Sequence, residues 1–318
     1  MDLGLLGRLV RVSGVREVVV VYRSVLAVPA TSRKMVDKGL SSEADGVFLD
    51  LEDAVAPSEK AGARSDVIRA LSEADWRGRR PTFRANALDT PYFYRDLVEV
   101  VEGAGQRLGA VIVPKVEYPE DLHVVDTLLS QLEAACGLSP GGITVEAQIE
   151  SAGGMQRVDG ISRAGGGRLT ALHFGPGDYA ASLGMPGGSI GTEDEWDLEY
   201  PGHRFHYALH RVAVAARSAG LFALDGPVAD FRDEIGLRGS ARNARSLGLH
   251  GKWCIHPAQI PAVNEVFSPT QEELDWARKV VETYEAAGES GVGSISVEGK
   301  MVDAASIRMA RNILESAE

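Results

Sequence analysis

The feature that most limits what this chain can fold into is a regular alternation of short apolar runs with helical stretches. The runs occupy residues 24–28, 46–51, 81–85, 110–113, 143–149, 169–174, 221–224 and 251–255 and end in polar, Gly or Pro residues. Most are continuously apolar, as strands covered on both faces must be. Between them, residues 61–74, 92–102, 119–135 and 206–219 carry helical character. Such alternation implies parallel strands joined by right-handed crossovers. Eight units in about 235 residues predict a closed (β/α)8 TIM barrel. The competing fold, an open doubly wound sheet, normally shows a Gly-rich fingerprint after its first strand. Here that strand runs into Val28-Pro29-Ala30-Thr31, with no such motif.

The barrel is expected to span residues 22–265, flanked by two further segments. Residues 1–21 are rich in Leu and Val, but Arg8, Arg11 and Arg16 interrupt them. The longest apolar run there, residues 18–22, is too short for a signal sequence or a membrane span, so an N-terminal soluble extension is expected. In residues 266–318, Thr270 and Glu273 form a T-x-x-E capping box that opens a helix with Leu274, Ala277, Val281 and Tyr284 on one stripe. Residues 288–294 contain three glycines and read as a flexible hinge. An extended piece at 295–297 then leads to a helix from Ala304 carrying Ile307, Ala310, Ile313 and Leu314 on one side. This C-terminal extension is not needed to close a barrel. It is expected to be a helical lid, or an arm onto a neighbouring subunit.

Acidic groups outnumber basic ones, 45 Asp+Glu against 33 Lys+Arg, for a net charge of −12. That balance argues against nucleic acid as a partner, and no segment predicts a membrane association. Cys136 and Cys254 cannot form a disulfide framework and lack zinc-ligand spacing, so a cytoplasmic location is expected.

In a barrel of this type the informative polar residues lie just past the carboxyl ends of the strands. Here they are Asp50, Glu52 and Asp53, then Arg84 and Asn86, Lys115, Glu150, Asp178, Asp225 and His256. Glu150 and Asp178, on adjacent strand ends, suit a hard divalent cation that keeps several waters. Arg84 suits bidentate capture of a substrate carboxylate, and Lys115 is a further substrate-binding candidate on the same rim. So many acids close together are costly unless a cation sits among them. Gly175-Pro176-Gly177 either lets the backbone approach a ligand or makes a tight turn. His206 and His210 are one helical turn apart, but Tyr207 stands where a zincin motif requires Glu, so no zinc site is expected. Cys254 lies in an apolar strand and reads as a core residue.

The motifs RSVLAVPA (23–30), VFLDLEDAVAP (47–57), FRANALDTPYFYRDL (83–97), VIVPKVE (111–117), EAQIESAGG (146–154), FGPGDYAASLGM (174–185), GKWCIHPAQI (251–260) and GKMVDAASI (299–307) occur in order along the chain. In them the sequence resembles the malyl-CoA lyase and citrate lyase β-subunit-like CoA ester lyases, most closely the stand-alone malyl-CoA lyase branch. It departs from their usual pattern at Ala27, Ala30 and the Gly175-Pro176-Gly177 turn.

The resemblance implies a magnesium-dependent oxo-acid lyase, with manganese as an alternative ion. Such an enzyme cleaves or forms a malyl-CoA-type 3-hydroxyacyl-CoA, giving acetyl-CoA or propionyl-CoA plus glyoxylate, or acetyl-CoA plus pyruvate from citramalyl-CoA. It implies Glu150 and Asp178 as metal ligands and Arg84 as the holder of the substrate carboxylate. Glu52 and Asp53 would order metal-bound water and the arginine, and Lys34 and Lys38 would contact the CoA phosphates. Gly177, Ile255 and His256 would meet substrate through the backbone. Asp303 would reach a neighbouring subunit and handle the proton of the acetyl-CoA enol. The partners implied are an acyl-CoA, a small 2-oxo acid and further copies of the chain, as a homo-oligomeric trimer or hexamer. The alternatives are a malyl-CoA thioesterase, a subunit of a citrate-lyase-type complex, and an aldolase acting on a free 2-oxo acid.

Overall fold

The alternating runs close into a barrel in the computed structural model, which describes residues 8–12, 15–19, 22–187, 189–191, 194–199, 203–288 and 295–317. Before the barrel, β1 (Arg8–Val12) and β2 (Val15–Val19) pair as an antiparallel ribbon. The barrel strands are β3 (Ser24–Pro29), β4 (Gly46–Asp50), β5 (Thr82–Arg84), β6 (Ala110–Val113), β7 (Thr144–Ile149), β8 (Leu169–Phe174), β9 (Phe222–Asp225) and β10 (Gly251–Cys254). Each is parallel to its neighbours in chain order, and β10 returns to β3 with Trp253 opposite Val25. All eight expected strands form.

Side-chain alternation sorts these strands into two apolar layers. On β4, Val47 and Leu49 face the outer core under the helices. Phe48, between them, points into the barrel with Val25, Ile112, Ala171, Phe222, Leu224 and Trp253. On β7, Val145, Ala147 and Ile149 belong to the outer core. The opposite face of that strand therefore presents Glu146 and Gln148 to the interior, with Glu150 following at the rim.

The four expected helices appear as Lys60–Glu73, Phe93–Ala104, Pro119–Cys136 and His206–Ser218. Local chemistry sets their ends: Pro119–Cys136 starts with Pro in its first turn and an Asp121 capping box, and stops at Gly137, whose φ is +65°.

Beyond the barrel, Thr270 and Glu273 make the expected reciprocal cap, at 2.7 and 3.2 Å, opening the helix Gln271–Gly288. Two short strands, β11 (Ile295–Val297) and β12 (Lys300–Val302), then lead to the helix Ala304–Glu315. These elements pack around their own small core of Ala277, Val280, Val297, Val302, Ile307 and Ala310. An Arg245–Glu273 ion pair ties the arm to the barrel's helix Glu234–Ser246. Of the expected hinge, residues 289–294 lie outside the described residues. Among the described residues, no helix is long and apolar enough to cross a membrane.

Candidate active site

Arg84 is the last residue of β5, and the barrel sets it directly opposite Asp50, the last residue of β4. Its Nε and Nη2 donate to the two Asp50 oxygens at 2.7 Å each, a bidentate pair that fixes the guanidinium plane. Nη1 lies 2.7 Å from Glu52, 3.4 Å from the Gln148 amide oxygen and 3.6 Å from Asp53. Burial opposes the charge on Arg84, but Asp50, then Glu52 and Asp53, outweigh it and hold the group firmly protonated.

Lys115, just past β6, adopts φ +54°, a left-handed backbone uncommon outside glycine. Its N–H donates to Glu150 Oε1 at 2.8 Å. Its Nζ sits 3.2 Å from Glu52 and 4.0 Å from Asp178. One residue thus touches all three acids.

Glu150 also accepts from the Gln148 amide, two residues earlier on the inward row of β7. Gly175 caps the helix Pro176–Leu183, and a Cβ there would fall on the Glu150 carboxylate. Only glycine lets that helix, with Asp178 in its first turn, come this close. Burial first, then the charges of Glu52 and Asp178, push the Glu150 carboxyl up to about 8. Burial first likewise pushes Glu52 up to about 7, against the pull of Arg84 and with Asp53 adding to the rise. Both Glu52 oxygens are buried, and although Arg84 and Lys115 stand near, neither receives a well-directed hydrogen bond.

Five carboxylates (Asp50, Glu52, Asp53, Glu150 and Asp178) therefore share the rim with two cations, Arg84 and Lys115. The two buried glutamates resist ionisation, a crowding that a hard divalent cation with a preference for oxygen donors relieves. The residues fit magnesium. Among the described residues, no three His, Cys, Asp or Glu side chains form a ready-made metal cage.

Behind the rim, the loop carrying Glu52 is pinned by the buried Lys60, whose Nζ donates to Leu51 O and Glu52 O at 2.9 Å each and to Asn86. Asn86 in turn donates to Asp96, which pairs with Arg64 at 2.7 Å. Sequence reading missed Lys60 and Gln148. A period-two count back from Glu150 identifies Gln148, but nothing local marks Lys60.

Other expected site residues take no part in this hydrogen-bond and ion-pair network. Asp225 is withdrawn from the rim: it pairs with buried Lys252, whose Nζ also donates to Ser240 on an outer helix. Its neighbour Leu224 points into the barrel, so alternation turns Asp225 outward. Lys34 and Lys38 are exposed on the helix Arg33–Leu40 that follows β3. Gly177 lies in the first turn of the Asp178 helix, where a Cβ would meet Ile190. The N–H groups of Ile255 and His256 are both taken by the Gln259 side chain, at 2.8 and 3.2 Å. Any backbone contact with substrate there falls to their carbonyls.

Asp303 caps the final helix, accepting from Ala305 N, Ser306 N and Ser306 Oγ at 2.9–3.0 Å. None of these partners is a rim residue. The Ser306 N–H foremost, with its hydroxyl next, holds the half-buried Asp303 carboxyl below the usual range.

A family model described as HpcH/HpaI aldolase/citrate lyase matches residues 23–257. The chain belongs to that family. Membership makes it an enzyme of the lyase class. A second model, described as a C–C bond lyase of the TIM-barrel fold, matches residues 206–318. The chain is 39% identical over 296 residues to the L-malyl-CoA/beta-methylmalyl-CoA lyase of Cereibacter sphaeroides, covering 91% of this chain and 92% of that protein. It is 36% identical to the citrate lyase subunit beta of Escherichia coli K12, covering 93% of each. Among solved structures, the CitE protein of Mycobacterium tuberculosis, in complex with magnesium, acetoacetate and coenzyme A, matches with a TM-score of 0.73. That match has 29% identity and covers 92% of this chain and 97% of the other.

Proposed function

We propose that this protein is a magnesium-dependent CoA ester lyase that cleaves or forms a malyl-CoA-type 3-hydroxyacyl-CoA. The products are acetyl-CoA or propionyl-CoA with glyoxylate, or acetyl-CoA with pyruvate from citramalyl-CoA. One observation carries the reading: Arg84, clamped against Asp50 and Glu52, stands beside Glu150 through Gln148, while Lys115 bridges Glu52, Glu150 and Asp178.

Glu150 and Asp178 would hold the magnesium ion, which when bound supplies Lewis-acid stabilisation to the 2-oxo acid's carbonyl. Arg84 binds and orients the carboxylate of that oxo acid, exchanging contact with Glu52 for contact with substrate, and Asp50 keeps its plane aligned. Lys34 and Lys38 meet the CoA phosphates at the outer edge. Asp303 moves the proton at the thioester's α-carbon. Its hydrogen bonds favour the ionised form, which takes a proton in condensation. Delivering a proton in cleavage requires burial on closure, which raises its proton affinity and also excludes water from the enolate.

Among the described residues Asp303 is held by its own helix and not by its own barrel's rim, and in this reading residues 266–318 are an arm that completes the site of a second copy, in a trimer or hexamer. The relatives named for malyl-CoA lysis, and the neighbour that holds magnesium and coenzyme A, support this reading. Incubation with malyl-, methylmalyl- and citramalyl-CoA should release a 2-oxo acid, with activity lost in EDTA and restored by magnesium. Free thiol without any 2-oxo acid would replace the lyase by a thioesterase.

A further inference from the structure

Directly beneath Arg84 lies a polar chain that the chemistry above does not use. The guanidinium carbon of Arg84 stands 5.5 Å from the Trp253 ring and 5.9 Å from Phe48, and those two rings pack at 4.6 Å. The indole N–H of Trp253 donates to His173 Nδ1 at 2.6 Å, and His173 Nε2 lies 2.8 Å from Glu146 Oε2. Glu146 and Trp253 are 4% exposed and His173 is 0% exposed.

An indole N–H can only donate, so His173 Nδ1 must be the bare, accepting nitrogen. The ring proton then sits on Nε2 and donates to Glu146. The carboxylate thus selects the tautomer that holds the tryptophan. The tryptophan in turn presents its face to the cation.

We propose that Glu146, His173 and Trp253 form a positioning relay that fixes Arg84 from within the barrel and thereby sets its affinity for the substrate carboxylate. This rests on the carboxylate-binding role of Arg84 proposed above.

Two substitutions of like charge separate a relay from mere filling of the interior. In His173→Asn, the amide oxygen falls near the Nδ1 position and still accepts from Trp253. In His173→Gln, the amide nitrogen falls near Nε2, satisfying Glu146 but leaving the indole without an acceptor. In the condensation direction, His173→Gln should raise the KM for the 2-oxo acid about tenfold, the scale of one lost buried hydrogen bond, with the KM for acetyl-CoA unmoved. His173→Asn should recover most of that loss, and Trp253→Phe should behave like His173→Gln. Equal losses in both His173 variants, or a smaller loss in His173→Gln, would overturn the relay.

Nitrogen NMR of the His173 ring tests the tautomer without any substrate. A bare Nδ1 in the wild type, with that preference lost in Trp253→Phe, supports the relay, and a protonated Nδ1 overturns it. If the wild type turns over none of the three CoA esters, the lyase reading fails and the relay is decided by this spectrum alone.

Discussion

The carboxylates of the barrel rim and the one on the C-terminal arm are the same chemical group in opposite surroundings. Glu52 and Glu150 are buried among like charges, and both are pushed toward protonation. Asp303 is half-buried at a helix N-terminus, held ionised by two N–H groups and a hydroxyl. The rim stores unfavourable charge that a cation can discharge, whereas the arm stabilises its charge locally and needs nothing from its own barrel. On the function proposed above the two regions would divide the labour: the rim would bind a metal and an anion, and the arm would carry a proton from outside.

The sharpest way to break this contrast is at Glu150. With magnesium present, Glu150→Gln should lower turnover by about a thousandfold, in line with several kcal/mol of lost Lewis-acid assistance. Metal affinity measured by calorimetry should fall with it, and near-normal turnover would end the comparison.

Next in size is Asp303→Asn, expected to cost about 10²–10⁴-fold in turnover while magnesium binding is retained. Because the arm should act on another copy's rim, subunits of Asp303→Asn and Arg84→Lys, mixed and reassembled, should regain activity that neither has alone. No recovery on mixing would place the arm over its own barrel.

The pH response sharpens the difference further. Glu52 and Glu150 bind protons more tightly folded than unfolded, so the cation-free protein should lose stability as pH rises from about 4.5 to about 8. Asp303 has the opposite sign: its stabilisation is present above the ordinary aspartate range and is lost only in acid. Melting curves between about pH 5 and about pH 8.5 should therefore slope downward, and saturating magnesium should flatten them. An upward slope without added metal would contradict the buried-rim account.

The smallest expected effect belongs to the exposed cations of the first helix. Lys34→Ala or Lys38→Ala should raise the KM for the acyl-CoA only about two- to fivefold each, as befits solvent-screened charges, and added salt should shrink the difference. A large, salt-independent loss would mean that these lysines become buried on closure.

Much of this protein was legible without coordinates because the deciding patterns are local. The eight runs follow from continuous apolar composition, the Thr270–Glu273 cap from a three-residue spacing, and the stripe through Ile307 and Ala310 from the helical period. Barrel topology then carries Glu52, Arg84, Lys115, Glu150 and Asp178 to one rim, since every strand end after a parallel crossover points the same way. Tertiary structure alone decided which of these side chains meet. It matched Arg84 to Asp50, turned Asp225 outward to Lys252, and set Lys60 under the Glu52 loop. It also placed Trp253 and His173 beneath the guanidinium and tied Asp303 to the first turn of its own helix. Those pairings depend on how strands distant in the chain are staggered around a closed sheet. A one-residue slip would turn each inward group outward, and no stretch of neighbouring residues encodes that stagger.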